Sequence, residues 1–270
     1  MERGKRKYHG VIIHRSQDRF GAIEVVEDEL VRALHFGNSV RQSAMSLHRP
    51  EYPVLAYTKA MLGGLLFQSS PRRVLMIGLG GGSLAKFLFH HFPHCVLDVV
   101  EHREHVVKIA HGYFLLPEDP RLRVHIADGS AFVQDMAASS SDRYNLILVD
   151  AYDDAGMADD MGQPPFFDAC RTLLTTDGAL VNNLWGNDRP RYTHILRRLR
   201  RCFDSTPMLL MVEGTNNVVA VSLQRSAGKN ALKIAEASAK PLELQTGVQF
   251  VRLARTLRKR NHSFMDLLFP

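Results

Sequence analysis

The groups in this chain best suited to chemistry sit where apolar runs end. In VLMIGLGGGSLAKFL (residues 74–88) an apolar run gives way to Gly78, Gly80, Gly81 and Gly82 and then to a helical pattern. Glycines at a strand-to-helix turn let backbone N–H groups approach a ligand with no side chain in between. Gly78, Gly80 and Gly82 are therefore candidates for a nucleotide or nucleoside cradle, although tight strand–helix packing selects glycine too. Glu101 closes the next apolar run, VLDVVE, 19 residues beyond Gly82, where an acid commonly accepts ribose hydroxyls. Asp128 and Gly129 follow RLRVHIA and pair an acid with another close backbone approach; Asp128 would equally suit a helix N-cap. Asp150 closes YNLILV, with Asp153 and Asp154 just behind it. Four successive apolar runs thus finish in glycines, Glu, Asp and Asp, a series that a fold alone does not require.

These tips need strands to carry them. Apolar runs of five or six residues alternate with helical patterns (SLAKFLFHHF, REHVVKIAHGYF, SAFVQDMAA, PFFDACRTLL, RYTHILRRLRRCF), as βαβ units do. The expected fold class is α/β, a doubly wound and mainly parallel sheet of Rossmann-like type covered on both faces. MLLMVEG and NVVAVSLQ read as a terminal hairpin, followed by a tail that is first Lys/Ala-rich and then a basic amphipathic helix. Ahead of the glycine turn, residues 20–46 alternate apolar and polar around Gly37-Asn38, the pattern of a few antiparallel strands. The division expected is a small β unit (1–50), a nucleoside-binding catalytic domain (51–225) and a helical tail (226–270).

Composition narrows the class. Among 270 residues, 45% are hydrophobic and 23% charged, ordinary for a globular protein. No apolar run approaches the ~18 residues of a membrane span, and the basic N-terminus has no apolar segment behind it. The three cysteines, Cys95, Cys170 and Cys202, lack metal spacing and suit a reducing, cytoplasmic setting. His90, His91 and His94 have Pro93 among them and no nearby acid or cysteine, so no metal site is expected. The net charge of +6 concentrates in residues 195–203 and 252–262, read as solvated helix faces; no nucleic acid is expected as partner.

The same segments resemble the spermidine synthase (aminopropyltransferase) family, whose catalytic domain has the AdoMet-dependent methyltransferase fold. RRVLMIGLGGGSLAKFL is similar to the family's glycine motif, VLDVVE to its ribose-binding strand, RVHIADGSAFV to its adenine-contacting Asp-Gly, and YNLILVDAYDDAG to its catalytic segment. LHFGNSVRQ is similar to its N-terminal hairpin, and AYTKAML occupies the place of its Tyr-containing helix. The resemblance implies decarboxylated AdoMet or AdoMet as co-substrate, no tightly bound cofactor, and a small amine as acceptor. By the same carry-over Asp150 would be the catalytic base, and Asp153 and Tyr57 would bind the amine. Gln42, Glu101, Asp128 and Gly129 would hold the nucleoside. A homodimer through the N-terminal unit would also follow.

The chain departs from the family pattern at several points. Gly81 stands where the family carries an aspartate that pairs with the donor's ammonium, and Asp154 where a proline is usual. Thr58 and Lys59 replace a His/Gln-Glu pair. AdoMet carries a carboxylate that an aspartate would repel and a glycine N–H would tolerate. Aminopropyl transfer ranks slightly ahead of methyl transfer on the same scaffold. A nucleoside-binding protein without turnover is the non-enzymatic alternative. An NAD-dependent dehydrogenase would explain the glycines and Glu101, but neither Asp128-Gly129 nor the acidic loop after Asp150.

Overall fold

The structure is a computed structural model and describes residues 8–153, 156–157, 159–225 and 230–268. A four-stranded antiparallel sheet comes first, built in chain order from β1 (Val11–Asp18), β2 (Gly21–Glu27), β3 (Val31–His35) and β4 (Ser43–Ser46). Helix α1 (Ala56–Met61) and a 3-10 turn (Leu62–Leu66) lead into the main sheet.

There β5 (Arg73–Ile77), α2 (Ser83–His91), β6 (Val96–Glu101), α3 (Glu104–Phe114), β7 (Leu122–Ile126), α4 (Gly129–Ser139) and β8 (Tyr144–Val149) alternate. A two-rung ladder of β9 (Tyr152–Asp153) and β10 (Gly156–Met157) precedes α5 (Pro164–Leu173), β11 (Leu174–Trp185) and α6 (Arg189–Phe203). The hairpin β12 (Met208–Met211) and β13 (Asn217–Leu223) follows, then α7 (Asn230–Thr246) and α8 (Phe250–Leu268). The sheet order is β12-β13-β11-β8-β5-β6-β7, parallel from β11 to β7 and antiparallel at the hairpin. The expected mainly parallel α/β sheet is observed.

Strands β5, β6 and β8 are mostly apolar because both of their faces are covered, and the buried acid in the middle of β6, Asp98, is satisfied by Arg73, Arg123, His125 and Tyr144. On one face Val74, Met76, Leu146, Leu148 and Val181 pack under the 3-10 turn, α2, α7 and α8. On the other, Leu75, Ile77, Ile147, Val149 and Leu180 pack under α4, α5 and α6. Each fully buried Leu, Ile or Phe side chain contributes about 1.5–3 kcal/mol of transfer free energy. A third cluster joins the front sheet to α3 through Ile23, Val25, Leu34 and Met45 against Val106, Ile109 and Phe114.

The front sheet begins nine residues earlier than the alternation suggested, at Val11 rather than Phe20. As an edge strand, β1 leaves Val11, Ile12 and Ile13 exposed, so burial imposed no readable pattern on it. The Lys/Ala-rich stretch after the hairpin is α7, which seats Ala231, Ala235, Ala239 and Leu242 in the core. Among the described residues, no helix is long and apolar enough to cross a membrane.

Candidate active site

Parallel strands in one sheet direct all their C-terminal ends to the same edge, and the chain reverses there through loops. At β5 the reversal is Gly78, with φ +97°, a conformation side chains resist. Its N–H donates to the Val100 carbonyl at 2.8 Å, and a β-carbon there would collide with the Asp150 carbonyl. The Asp150 N–H in turn donates to Ile77 O at 2.8 Å, so the tips of β5 and β8 are laced together.

Glu101, at the tip of β6, is buried and works on two loops at once. One carboxylate oxygen accepts from Leu79 N–H in the glycine turn and the other from Arg103 N–H, each at 3.0 Å. Arg103 then reaches the front sheet. Its guanidinium donates to both carboxylate oxygens of Asp18 at 3.0 and 2.8 Å and to Gly21 O at 3.1 Å, with its plane near the Phe36 and Phe20 rings. This charge-assisted fork clamps the β1–β2 turn over the strand tips.

Asp128 caps α4, accepting from Ala131 N–H at 2.8 Å, and remains exposed toward the same edge. Asp150 is half-buried. Asn183 Nδ2 donates to its Oδ1 at 2.9 Å, and the Tyr57 hydroxyl lies within hydrogen-bonding reach of the same carboxyl. Burial pushes the Asp150 carboxyl up to about 6, against the opposing pull of Asn183 and Tyr57. Burial, joined by the charge of Asp150, holds the Tyr57 phenol well above its ordinary range. That hydroxyl also donates to Gln42 O at 2.8 Å. Its single proton can serve the Gln42 carbonyl or the Asp150 carboxylate, one at a time.

These groups surround one cavity of about 260 Å³. Gln42, Tyr57, Gly78, Gly80, Glu101, Asp128, Gly129 and Asp150, all singled out in the sequence, line it. Gly82 stands one step back, as the left-handed N-cap of α2. The Asp153 side chain and all of Asp154 lie outside the described residues. Sequence reading singled out none of Ser43, Ser83, His102 and Arg103, which also line the cavity, and met Thr58 only as a departure from the family pattern. Their types announce nothing, because tertiary packing alone brings the front sheet and α2 against the strand tips. Asn183 left a faint signal, an amide inside the apolar run GALVNNLW. Among the described residues no group of three or more metal-ligating side chains converges, and all three cysteines are buried and unpaired.

Residues 55–211 match the model of the spermine/spermidine synthase domain. The chain belongs to the spermine/spermidine synthase family. The polyamine aminopropyltransferase of Chromobacterium violaceum is 31% identical over 240 residues, 88% of this chain and 90% of that protein. The structure of human methyltransferase-like protein 13 in complex with SAH superposes with a TM-score of 0.62 at 26% identity, covering 76% of this chain and 93% of that one. A spermidine synthase in complex with the transition-state analogue AdoDATO gives 0.64 at 19% identity, covering 87% and 88%, a likeness of fold.

Two departures from the spermidine synthase pattern take on physical meaning at this site. A β-carbon at Gly81 would stand 2.8 Å from Phe114 Cδ1 and 2.9 Å from Ser43 Oγ, so the place of an aspartate side chain is already filled. The Ser43 hydroxyl meets that of Ser83 at 3.2 Å, and Ser83 also donates to Ala44 O at 3.1 Å. Lys59, which stands in place of the family's Glu, does not line the cavity. Its ammonium lies 5.2 Å from the centre of the Tyr52 ring, on the outer side of α1, while Thr58 faces inward.

Proposed function

We propose that this transferase binds an adenosyl sulfonium in the cavity and transfers an aminopropyl group from decarboxylated AdoMet to a small amine. The observation that carries the reading is the convergence of Glu101, Asp128 and Asp150, from three successive strand tips, on one cavity also lined by Tyr57. The polyamine aminopropyltransferase likeness over nearly the whole chain supports it.

In this reading Glu101 accepts the ribose hydroxyls through lone pairs left over from Leu79 and Arg103. Asp128 and Gly129 border the base, and the turn at Gly78 and Gly80 carries the sulfur-linked tail. The acceptor arrives as an ammonium with a pKa of about 10.4, so little of it is nucleophilic near neutrality. Asp150, with its carboxyl at about 6, is ionised at pH 7 yet basic enough to take the proton. The freed nitrogen attacks the carbon beside sulfur, the C–S bond breaks, and its electron pair neutralises the sulfonium to a thioether. Tyr57 and Asp153 orient the amine, and holding both substrates in line supplies much of the acceleration.

Methyl transfer from intact AdoMet is the second reading, favoured by the filled position at Gly81. Ser43, Ser83 and the N-terminus of α2 offer hydroxyls and backbone N–H groups, which suit a carboxylate better than a bare ammonium. The likeness to a methyltransferase seen with SAH points the same way. The test offers the enzyme each donor with a panel of small amines and identifies the spent nucleoside by mass. Methylthioadenosine formed from decarboxylated AdoMet supports aminopropyl transfer. S-adenosylhomocysteine formed from AdoMet would replace it with methyl transfer, and no product from either donor would remove both.

A further inference from the structure

Behind Asp150 stand two amides from neighbouring strands. In the register of β8 and β11, Asn182 pairs with Val149, so the next step sets Asn183 beside Asp150. In the register of β11 and β13, Asn183 pairs with Val219, which places Asn217, two residues away, on the same face as a diagonal neighbour. The side chains follow that geometry. Asn217 Nδ2 donates to Asn183 Oδ1 at 3.0 Å, and Asn183 Nδ2 donates to Asp150 Oδ1 at 2.9 Å.

The polarity of this chain is dictated from its inner end. An ionised carboxylate has no proton to give, so Asn183 must turn its nitrogen toward Asp150 and its oxygen outward. That oxygen accepts, and Asn217 supplies the donor. We propose that Asn217 is a positioning residue that acts through Asn183. By occupying the Asn183 oxygen it keeps the amide nitrogen on Asp150 Oδ1, which leaves Oδ2 for the attacking amine. The inference rests on the proposed role of Asp150 as base, but the hydrogen-bonded chain itself does not depend on which group is transferred.

Donation to the carboxylate favours its ionised form and works against burial, the largest influence on Asp150. The titratable groups sharing the cavity are Tyr57, Glu101, His102, Arg103 and Asp128, and of these Tyr57 lies within hydrogen-bonding reach of the carboxyl. Without Asn217, the Asn183 oxygen loses that donor, so turning it toward a protonated Asp150 costs less. The protonated state gains a partner and the ionised state loses one.

The experiment follows the Asp150 carboxyl directly, by NMR titration of the full-length protein with 13C-labelled aspartate, its signal assigned by loss in Asp150→Asn. Asn217→Ala should raise the midpoint by about half to one pH unit. The acid limb of kcat/KM should shift equally, so that the rate at pH 6 falls about two- to fivefold while KM for the nucleoside donor holds. Asn217→Asp, nearly isosteric, cannot donate when ionised and should raise the midpoint further, including in added salt that screens its charge. A midpoint unchanged in both variants, with unaltered thermal unfolding, would overturn the proposal. A shifted midpoint in an enzyme that transfers no aminopropyl group would uphold the relay and remove only the reading of the reaction.

Discussion

The backbone of Gly78 lies so close beneath the carbonyl of Asp150 that no side chain fits between them. The turn that presents the cavity's backbone and the residue proposed as its base are therefore one packed unit. Gly78→Ala would meet both a φ of +97° and that carbonyl. It is expected to destabilise the protein by about 3 kcal/mol or more and to abolish nucleoside binding. Urea unfolding and calorimetry with methylthioadenosine check both; wild-type stability would mean that the turn does not lock the two tips.

Asp150→Asn should separate stability from activity. A carboxyl at about 6 in the folded protein, against about 3.9 in the unfolded chain, binds more protons folded than unfolded between those values. Its contribution to stability is therefore lost as pH rises from about 4 to 6 and stays flat above. The asparagine variant should unfold like the wild type at pH 4, be more stable by up to about 3 kcal/mol at pH 7, and transfer nothing. Melting curves across this range, read beside product formation, decide it.

Glu101→Gln removes one of two acceptors that face backbone donors. The new NH2 group must oppose either Leu79 N–H or Arg103 N–H and leave that donor unsatisfied. The expected loss is about 1–3 kcal/mol of stability, with a still larger proportional loss of nucleoside affinity than of the acceptor's. Equal weakening of donor and acceptor would contradict a ribose role.

Gly81→Asp tests the filled space beside the α2 N-terminus. Phe114 and Ser43 would have to give way, at a destabilisation of about 1–3 kcal/mol. Pairing it with Ser43→Gly should recover part of that loss in thermal unfolding. No recovery would place the obstruction at Phe114 alone.

The strand tips were legible because each βα unit writes its own signature. A run such as VLMI, buried on both faces, is apolar, and the residue that breaks it marks the tip. Glu101, Asp128 and Asp150 could be found this way, and so could the glycine turn. What sequence could not supply was direction. Whether Thr58 or Lys59 faces the cavity is set by the rotation of a six-residue helix, too short to carry a full stripe. The link from Asn217 to Asp150 spans three strands in two registers, and nothing local to Asn217 records it. In α7 the buried stripe is largely alanine, so its hydrophobic signature is weak.

Arg103 joins Asp18 and Gly21 of the front sheet to the tip of β6, while Gln42 and Ser43 supply wall on the same side. Four of the lining residues, Phe20, Phe36, Gln42 and Ser43, thus come from the front sheet and its turns. Occupancy and docking of the front sheet become two readings of a single equilibrium: a bound nucleoside glues the two layers together, and prising them apart empties the chamber. Protease cutting near residue 50 should accordingly slow when the chamber is full.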